Sequence, residues 1–413
     1  MKRIYLILFL LALTLFSALS TGFYLLYRLV YALALILVSS YIWTWISSWG
    51  IEARVERRTS RAAKGENIEA RITVRNTSFI PKSWLEVQEM TDMPGHLEGM
   101  AIGLPSRGFR SWKVSTPCKR RGIYTLGPLR VTSGDLFGLF RRERYFGDVH
   151  TLIVYPQIIN LHHFSIPAAD LPGEGSAVHR SFSITPSAST VKDYTYGESL
   201  RRIHWPSTAR MGKLMIKEFD QGPSSDIWLF LDLHWDVQAE QEEESTDDYG
   251  ATIAASIARK YLDAELSVGF VAHGDDRYVL PPETGPAQMA RIMEVLAKGK
   301  AQGKVPLEEA LAQEEALYSR NSSVVIITPS YREEWIFVLK ELMRRRIKVL
   351  VILVEPSSFG GRDSNLHLSG NLARNGIPSY VVSRGDDLSA VLSHMYRGPQ
   401  MAEVFPGHPG RLL

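Results

Sequence analysis

The stretch DIWLFLDLHWD, residues 226–236, decides how the second half of the chain folds. From Ile227 to Leu233 it is one apolar run, interrupted only by Asp232. A short run without polar alternation predicts a strand buried on both faces, as in a parallel sheet covered by helices. The pattern downstream agrees. Thr252 to Leu262 has helical spacing, with Ile253, Ile257 and Tyr261 on one face, and Leu266 to Ala272 reads as a second buried strand. Met289 to Ala297 reads as a helix, Val324 to Thr328 as a strand, Glu333 to Arg345 as a helix and Lys348 to Val354 as a strand. A weaker strand over Ser379 to Val382 and a helix from Asp387 to Tyr396 complete the series. Alternating strands and helices predict an α/β domain over 226–398, followed by a tail over 399–413. The acidic run Glu240 to Asp248 reads as a solvated loop after the first strand.

Upstream the period changes. From Ile51 to Pro156 it is two: Ile68, Ala70, Ile72 and Val74 alternate with Glu69, Arg71, Thr73 and Arg75. Turn signals recur at Pro94-Gly95, Gly103, Gly122, Gly127-Pro128 and Gly134. Short strands with frequent turns predict a β-sandwich over 51–156. Residues 157–225 read as a connector, with weak periodicity in its first part.

The N-terminus is the most telling segment for location. Ile4 to Ser20 and Leu29 to Ser48 are apolar runs, each near the length that crosses a hydrocarbon core of about 30 Å as a helix. Residues 1–50 therefore read as a transmembrane hairpin. Lys2 and Arg3 precede it, and Arg54, Arg57, Arg58, Arg61 and Lys64 follow, whereas the connecting loop has only Arg28. The positive-inside rule puts both termini, and the soluble domains, in the cytoplasm of a multi-pass membrane protein. The competing reading is a cleaved signal peptide ending near Ser17-Ala18-Leu19-Ser20, with the second run kept as an anchor and the soluble part facing outward.

At 413 residues, and roughly one domain per 150, two or three domains are expected. A net charge of +3 argues against a dedicated nucleic-acid surface. The single cysteine, Cys118, excludes an intramolecular disulfide framework and reads as a small core residue.

The densest cluster of charged and aromatic residues is VKDYTYGESLRRIHWPSTARMGKLMIKEFDQ, residues 191–221. It holds Asp193, Tyr194, Gly197, Glu198, Arg201, Arg202, His204, Trp205, Arg210, Lys217 and Glu218. Ser199 to Met211 can form a helix with Arg201, Trp205 and Thr208 on one side. Two readings stand. The arginines bind an anionic ligand or acidic partner, or the segment clamps two domains through Arg–carboxylate pairs and Trp205.

This segment resembles the domain of unknown function 58 family, through Asp193-Tyr194, Gly197-Glu198, Arg201-Arg202-Ile203-His204-Trp205, Thr208-Ala209-Arg210 and Lys217-Glu218-Phe219. The family pattern usually has Asp where this chain has Glu198. Arg120-Arg121-Gly122-Ile123-Tyr124 and Asp135-Leu136-Phe137-Gly138-Leu139-Phe140 resemble the end of the family's sandwich region. The resemblance implies a Rossmann-like, von Willebrand factor type A-like C-terminal domain. Such domains often hold Mg²⁺ where the first strand ends in Asp-x-Ser-x-Ser. Here only Asp232 matches; His234 and Asp236 replace the serines, and Thr328-Pro329-Ser330 stands where a second acidic residue is wanted. The implied site is degenerate, with Asp232 and Asp236 left to hold a weak ion, so no cofactor is expected beyond that.

The resemblance further implies a non-enzymatic, membrane-anchored interaction or scaffold protein, a partner or adaptor of a MoxR-type AAA+ ATPase in the assembly or maturation of complexes. One alternative is a hydrolase using His204 as general base with Arg201 and Arg210. Another is an outward-facing adhesion or envelope-binding protein. The sequence does not fix the oligomeric state.

Overall fold

The computed structural model describes residues 2–57, 59–96, 99–135, 137–166, 190–193, 204–218, 226–320 and 322–393. They form two compact units, one essentially Met1–Gln157, the other Ile158–Val295 with Gly299–Leu413.

The first unit begins with helices α1 (Lys2–Thr21) and α2 (Tyr24–Ser47). Both are long and apolar enough to cross a membrane. At about 1.5 Å per residue α2 is about 36 Å long, against a hydrocarbon core of about 30 Å. Nine strands follow: β1 (Ile51–Arg57), β2 (Arg61–Ala63), β3 (Asn67–Asn76), β4 (Lys82–Thr91), β5 (Met100–Leu104), β6 (Phe109–Pro117), β7 (Gly122–Gly134), β8 (Arg141–Phe146) and β9 (His150–Tyr155). One sheet has the order β1-β3-β6; the other runs β2-β9-β7-β4-β5, with β8 also paired to β7. The period of two does its work here. Ile51, Ala53, Ile72 and Val74 of the first sheet share one core with Leu85, Val87, Ile102, Leu104, Leu129 and Val131 of the second. The alternate positions Arg54 and Arg71 face outward. Cys118 is buried in a second small cluster with Leu126, Leu152 and Val154, and burial pushes its thiol pKa up.

Two side chains finish α2. Lys82 Nζ donates to Ile46 O at 3.0 Å and Arg144 Nη1 to Ser48 O at 3.0 Å. These carbonyls lie in the last turn, where helical partners run out. Lys82 is buried, and desolvation lowers its pKa.

The second unit opens with a segment laid along a helix. Leu161, Phe164 and Ile166 are buried, Ile159 N donates to Ser256 Oγ at 2.9 Å, and Ile166 N donates to Tyr261 Oη at 3.0 Å. Next come β10 (Thr190–Asp193), α3 (Trp205–Met211) and β11 (Met215–Glu218), then β12 (Ile227–Asp232), β13 (Glu240–Gln241), β14 (Glu244–Ser245), α4 (Thr246–Asp263), β15 (Val268–His273), β16 (Arg277–Glu283), α5 (Gly285–Lys298), α6 (Leu307–Gln313), β17 (Ser323–Thr328), α7 (Trp335–Arg344), β18 (Lys348–Val354), α8 (Leu366–Arg374), β19 (Ser379–Val382) and α9 (Leu388–Val391). The main sheet runs β16-β15-β12-β17-β18-β19, parallel except for β16. One face, through Trp228, Phe230, Val324, Ile326 and Val351, packs on Leu307, Leu311, Trp335, Leu339, Leu368 and Leu372 of α6, α7 and α8. The other face meets α4, close enough that a Cβ on Gly250 would lie 2.8 Å from Leu231 Cδ1.

Several elements differ from the sequence expectation. The edge strand β16 was hidden by Pro281 and Pro282, which an edge tolerates. The acidic run is not simply a loop: β13 and β14 pair antiparallel, and α4 starts at Thr246. Arg384, remote in sequence, pairs with two acids of the run, donating from Nε to Glu244 at 2.6 Å and from Nη2 to Glu242 at 2.8 Å. Asp247 and Asp248 fall in the first turn of α4, where acids suit the helix dipole. Helices α6 and α8 were too short to be read from periodicity.

A buried carboxylate closes the β15 side of this unit. Glu314 accepts from Arg277 Nε at 2.6 Å and Nη2 at 2.8 Å, and its Oε1 is 2.9 Å from His273 Nε2. The Arg277 guanidinium holds the carboxyl below its usual range. A depressed carboxyl stabilises the fold above its unfolded pKa of about 4.3, and that stability is lost as pH falls through the folded value. Glu314→Gln is therefore expected to be destabilised most at neutral pH, with the gap to wild type closing under acid, as read by urea denaturation across pH. A gap independent of pH contradicts this.

Candidate functional site

In open parallel sheets, ligands bind outside the carboxyl ends of the strands, where the strand order reverses. The chain moves from β12 outward to β15 and β16, then returns to the other side of β12 with β17. The reversal lies between β12 and β17, which end at Asp232 and Thr328.

The two ends are tied by side chains. Thr328 Oγ1 donates to Asp232 Oδ2 at 2.7 Å, and His234 N donates to Asp232 Oδ1 at 3.0 Å. Ser330 N donates to Thr328 Oγ1 at 2.9 Å, and Gln238 Nε2 to Asp232 O at 2.9 Å. Asp232 is buried, and burial pushes its carboxyl up despite the bonds from Thr328 and His234. Beyond it, Gly303 crosses the end of β12: Gly303 N donates to Leu233 O and Trp235 N to Gly303 O, both at 3.0 Å. A Cβ on Gly303 would lie 2.2 Å from His273 O, so no larger residue fits that crossing.

This scaffold turns the next residues outward. Trp235 is 60% exposed. Asp236 forms an ion pair with Arg332, from the loop after β17. Beside them a polar cleft of about 460 Å³ is lined by Asp236, Gln238, Tyr331, Gly360, Arg362 and Asp363. Arg332, Tyr331 and Arg362 were not singled out in the sequence. Their signal was positional, since all follow strands that end at this edge.

The donor set does not fit a Mg²⁺ ion. A hard cation needs several oxygen ligands with free lone pairs. Each Asp232 oxygen already accepts one hydrogen bond, from Thr328 or His234, Asp236 is paired with Arg332, and Thr328 and Ser330 stand where a second acid is wanted. Among the described residues, no group of three or more His, Cys, Asp or Glu side chains is arranged to hold a metal.

The charged segment around His204 forms a separate piece. Its β10 and β11 pair antiparallel, with Asp193 opposite Met215, Val191 opposite Lys217 and Thr190 opposite Glu218. His204 N donates to Met215 O at 2.8 Å, and Met215 N to Thr208 Oγ1 at 3.0 Å. His204 Nδ1 is 2.7 Å from Ser207 Oγ, a contact across the first turn of α3. Trp205 is 67% exposed, and Arg210 is also exposed. The helix observed here starts at Trp205. Tyr194, Gly197, Glu198, Arg201 and Arg202 lie outside the described residues.

The buried carboxyl gives a testable contrast. Asp232→Asn keeps the shape and an acceptor, whereas Asp232→Ala strands buried donors and is expected to destabilise by about 1–3 kcal/mol. The raised carboxyl adds a sign. Wild type loses stability as pH climbs from the unfolded carboxylate value through the folded one, and Asp232→Asn does not. Denaturation of the three proteins between acid and neutral pH checks both; an alanine variant as stable as wild type sinks the structural role.

Residues 190–363 match the family described as "Protein of unknown function DUF58". The chain is 25% identical over 239 residues to "Uncharacterized protein YeaD" of Bacillus subtilis (strain 168), covering 56% of this chain and 56% of that protein. The match thus spans about half the length of that relative. Among solved structures, the CARDB domain of PF1109 from Pyrococcus furiosus is similar over 25% of this chain and 94% of that one, at 13% identity and a TM-score of 0.21. The C-terminal domain of wzt is similar over 26% of this chain and 75% of that one, at 14% identity and a TM-score of 0.21. Scores this low carry no structural argument. The family match covers the carboxyl edge of β12 and β17 together with the His204 segment, so residues 190–363 are the part of the chain that is similar to the DUF58 family.

Proposed function

We propose that this chain is a membrane-anchored interaction protein whose α/β unit docks a protein partner at the carboxyl edge of its sheet. In this reading α1 and α2 span the membrane as a hairpin, and the positive charges flanking them keep both units in the cytoplasm. The first unit is read as a β-sandwich, supported by two sheets that share a core. The second is read as von Willebrand factor type A-like, supported by its strand order and its antiparallel edge strand.

The observation that carries the reading is Trp235. A tryptophan 60% exposed, on a turn fixed by Gly303 and beside a polar cleft, is costly to leave in water. Tryptophan and arginine are the residues that most often anchor protein interfaces. The acidic and basic groups at this edge, Asp236, Arg332, Arg362 and Asp363, can supply a polar rim. In this reading, recognition works through direct side-chain contacts. The family resemblance points to a MoxR-type AAA+ ATPase as the partner, and a cytosolic ATPase requires a cytoplasmic edge.

The test is capture of the tagged full chain from gently solubilised native membranes, with Mg²⁺ and ATP and then without nucleotide. We expect an AAA+ ATPase to co-purify, and Trp235→Ala to reduce its recovery by roughly tenfold or more, as for an interface anchor. Undiminished recovery with Trp235→Ala moves the interface elsewhere. Absence of any ATPase under both conditions removes the adaptor reading.

A further inference from the structure

Three loops share one rim of the first unit with the end of α2: residues 77–81 after β3, 105–108 after β5 and 135–140 after β7. The pairings Ile51 with Asn76, Arg75 with Phe109, Lys82 with Leu104 and Gly134 with Arg141 bring these strand ends to the same side. Hydrogen bonds join the loops to each other and to the helix end. Thr77 N donates to Gly50 O at 2.7 Å, Arg107 N to Ser78 O at 3.0 Å, and Asn76 Nδ2 to Pro105 O at 2.9 Å.

Each loop presents an aromatic ring to the outside. Phe79 is 72% exposed, Phe109, the first residue of β6, is 70%, and Phe137 is 57%. Trp49, just past α2, is exposed as well. The opposite rim is different: its connections, residues 58–60, 64–66, 92–99, 118–121 and 147–149, contain no Phe, Tyr or Trp. Among the described residues, the exposed rings of the strand connections therefore gather at the helix end, while Tyr145, 57% exposed, lies along β8 away from it.

Cations accompany them. The Arg107 guanidinium lies 3.9 Å from the centroid of the Phe79 ring. Arg141 and Arg142 follow the third loop and are exposed. The acid within that loop, Asp135, is spent on folding it, accepting from Phe137 N at 2.9 Å and Phe140 N at 2.7 Å. The Phe140 ring meets Tyr41 of α2 at 5.5 Å. Tyr41 lies about 10 Å along the axis before Ser48, so the loop stands beside the final turns of the helix.

We infer that this rim is a lipid-binding collar, in which Phe79, Phe109 and Phe137 enter the headgroup layer of an anionic bilayer while Arg107, Arg141 and Arg142 bind lipid phosphates. Rings flanked by arginines suit a boundary that is apolar on one side and negatively charged on the other. Continuity with α2, through Lys82, Arg144 and the Tyr41–Phe140 contact, places the collar at interface depth. The inference rests on the proposal that α1 and α2 span the membrane.

Cys118 is buried, so an introduced cysteine takes a thiol-reactive fluorophore selectively. Full-length Phe79→Cys, Phe137→Cys, Asp148→Cys (far rim) and Leu35→Cys (within α2) are labelled with bimane. Each is reconstituted into phosphatidylglycerol–phosphatidylcholine vesicles carrying brominated lipid. We expect quenching at 35, 79 and 137 and none at 148. Quenching at 35 without quenching at 79 and 137 overturns the collar and leaves the span standing. No quenching at 35 overturns the span, and the collar with it. Phosphatidylcholine vesicles, or Arg107→Gln, Arg141→Gln and Arg142→Gln combined, are expected to move quenching at 137 toward the far-rim value. Quenching unchanged by both overturns the role given to the arginines.

Discussion

The hydrogen bond from Thr328 Oγ1 to the buried carboxyl of Asp232 joins the ends of the two strands between which the sheet changes direction. A carboxyl in that position is expensive to bury, and its cost is offset only by the donors that converge on it. Those donors come from both strand ends, so satisfying Asp232 also fixes the loops that leave β12 and β17. Gly303 then crosses the β12 end, and with the first turn held, Trp235 and Asp236 have no path back into the core. The exposed surface at this edge follows from a buried polar group one turn earlier.

The first unit is organised by a comparable constraint. A helix leaves its last carbonyls short of partners; here Trp49 N donates to Ile46 O at 3.1 Å, and side chains supply further donors. Lys82 and Arg144, from two strands of the larger sheet, supply the donors to Ile46 and Ser48. Lys82 is fully surrounded by protein, so its ammonium gains this bond at the price of its hydration, consistent with its lowered pKa. These bonds and the Tyr41–Phe140 contact join the end of the helix to the larger sheet and to the loop after β7.

Much of this was legible in the sequence. Continuous apolar runs announced β12, β17 and β18, because strands buried on both faces leave no polar alternation to confuse the reading. The alternation at Ile68 to Val74 announced a half-exposed strand, and the two apolar runs announced both long helices. What stayed hidden depended on partners remote in sequence. The acidic run holds a short hairpin, and Arg384 pairs with its Glu242 and Glu244 from far along the chain. The family resemblance implies Asp236 as a weak metal ligand beside Asp232, yet Asp236 is paired with Arg332. No local pattern carries such information, because each depends on which loops the fold brings together.

The most direct test of the central claim is thermal unfolding of the full chain titrated with Mg²⁺, in wild type and in Asp232→Asn. A ligand that binds the folded state raises the melting temperature by linkage. Because Asp232 and Asp236 are already engaged, the account predicts the same melting temperature at every Mg²⁺ concentration in wild type, and no difference in Mg²⁺ response between the two proteins. A saturable rise in wild type that disappears in Asp232→Asn would contradict it, and would make the carboxyl edge a metal-dependent site.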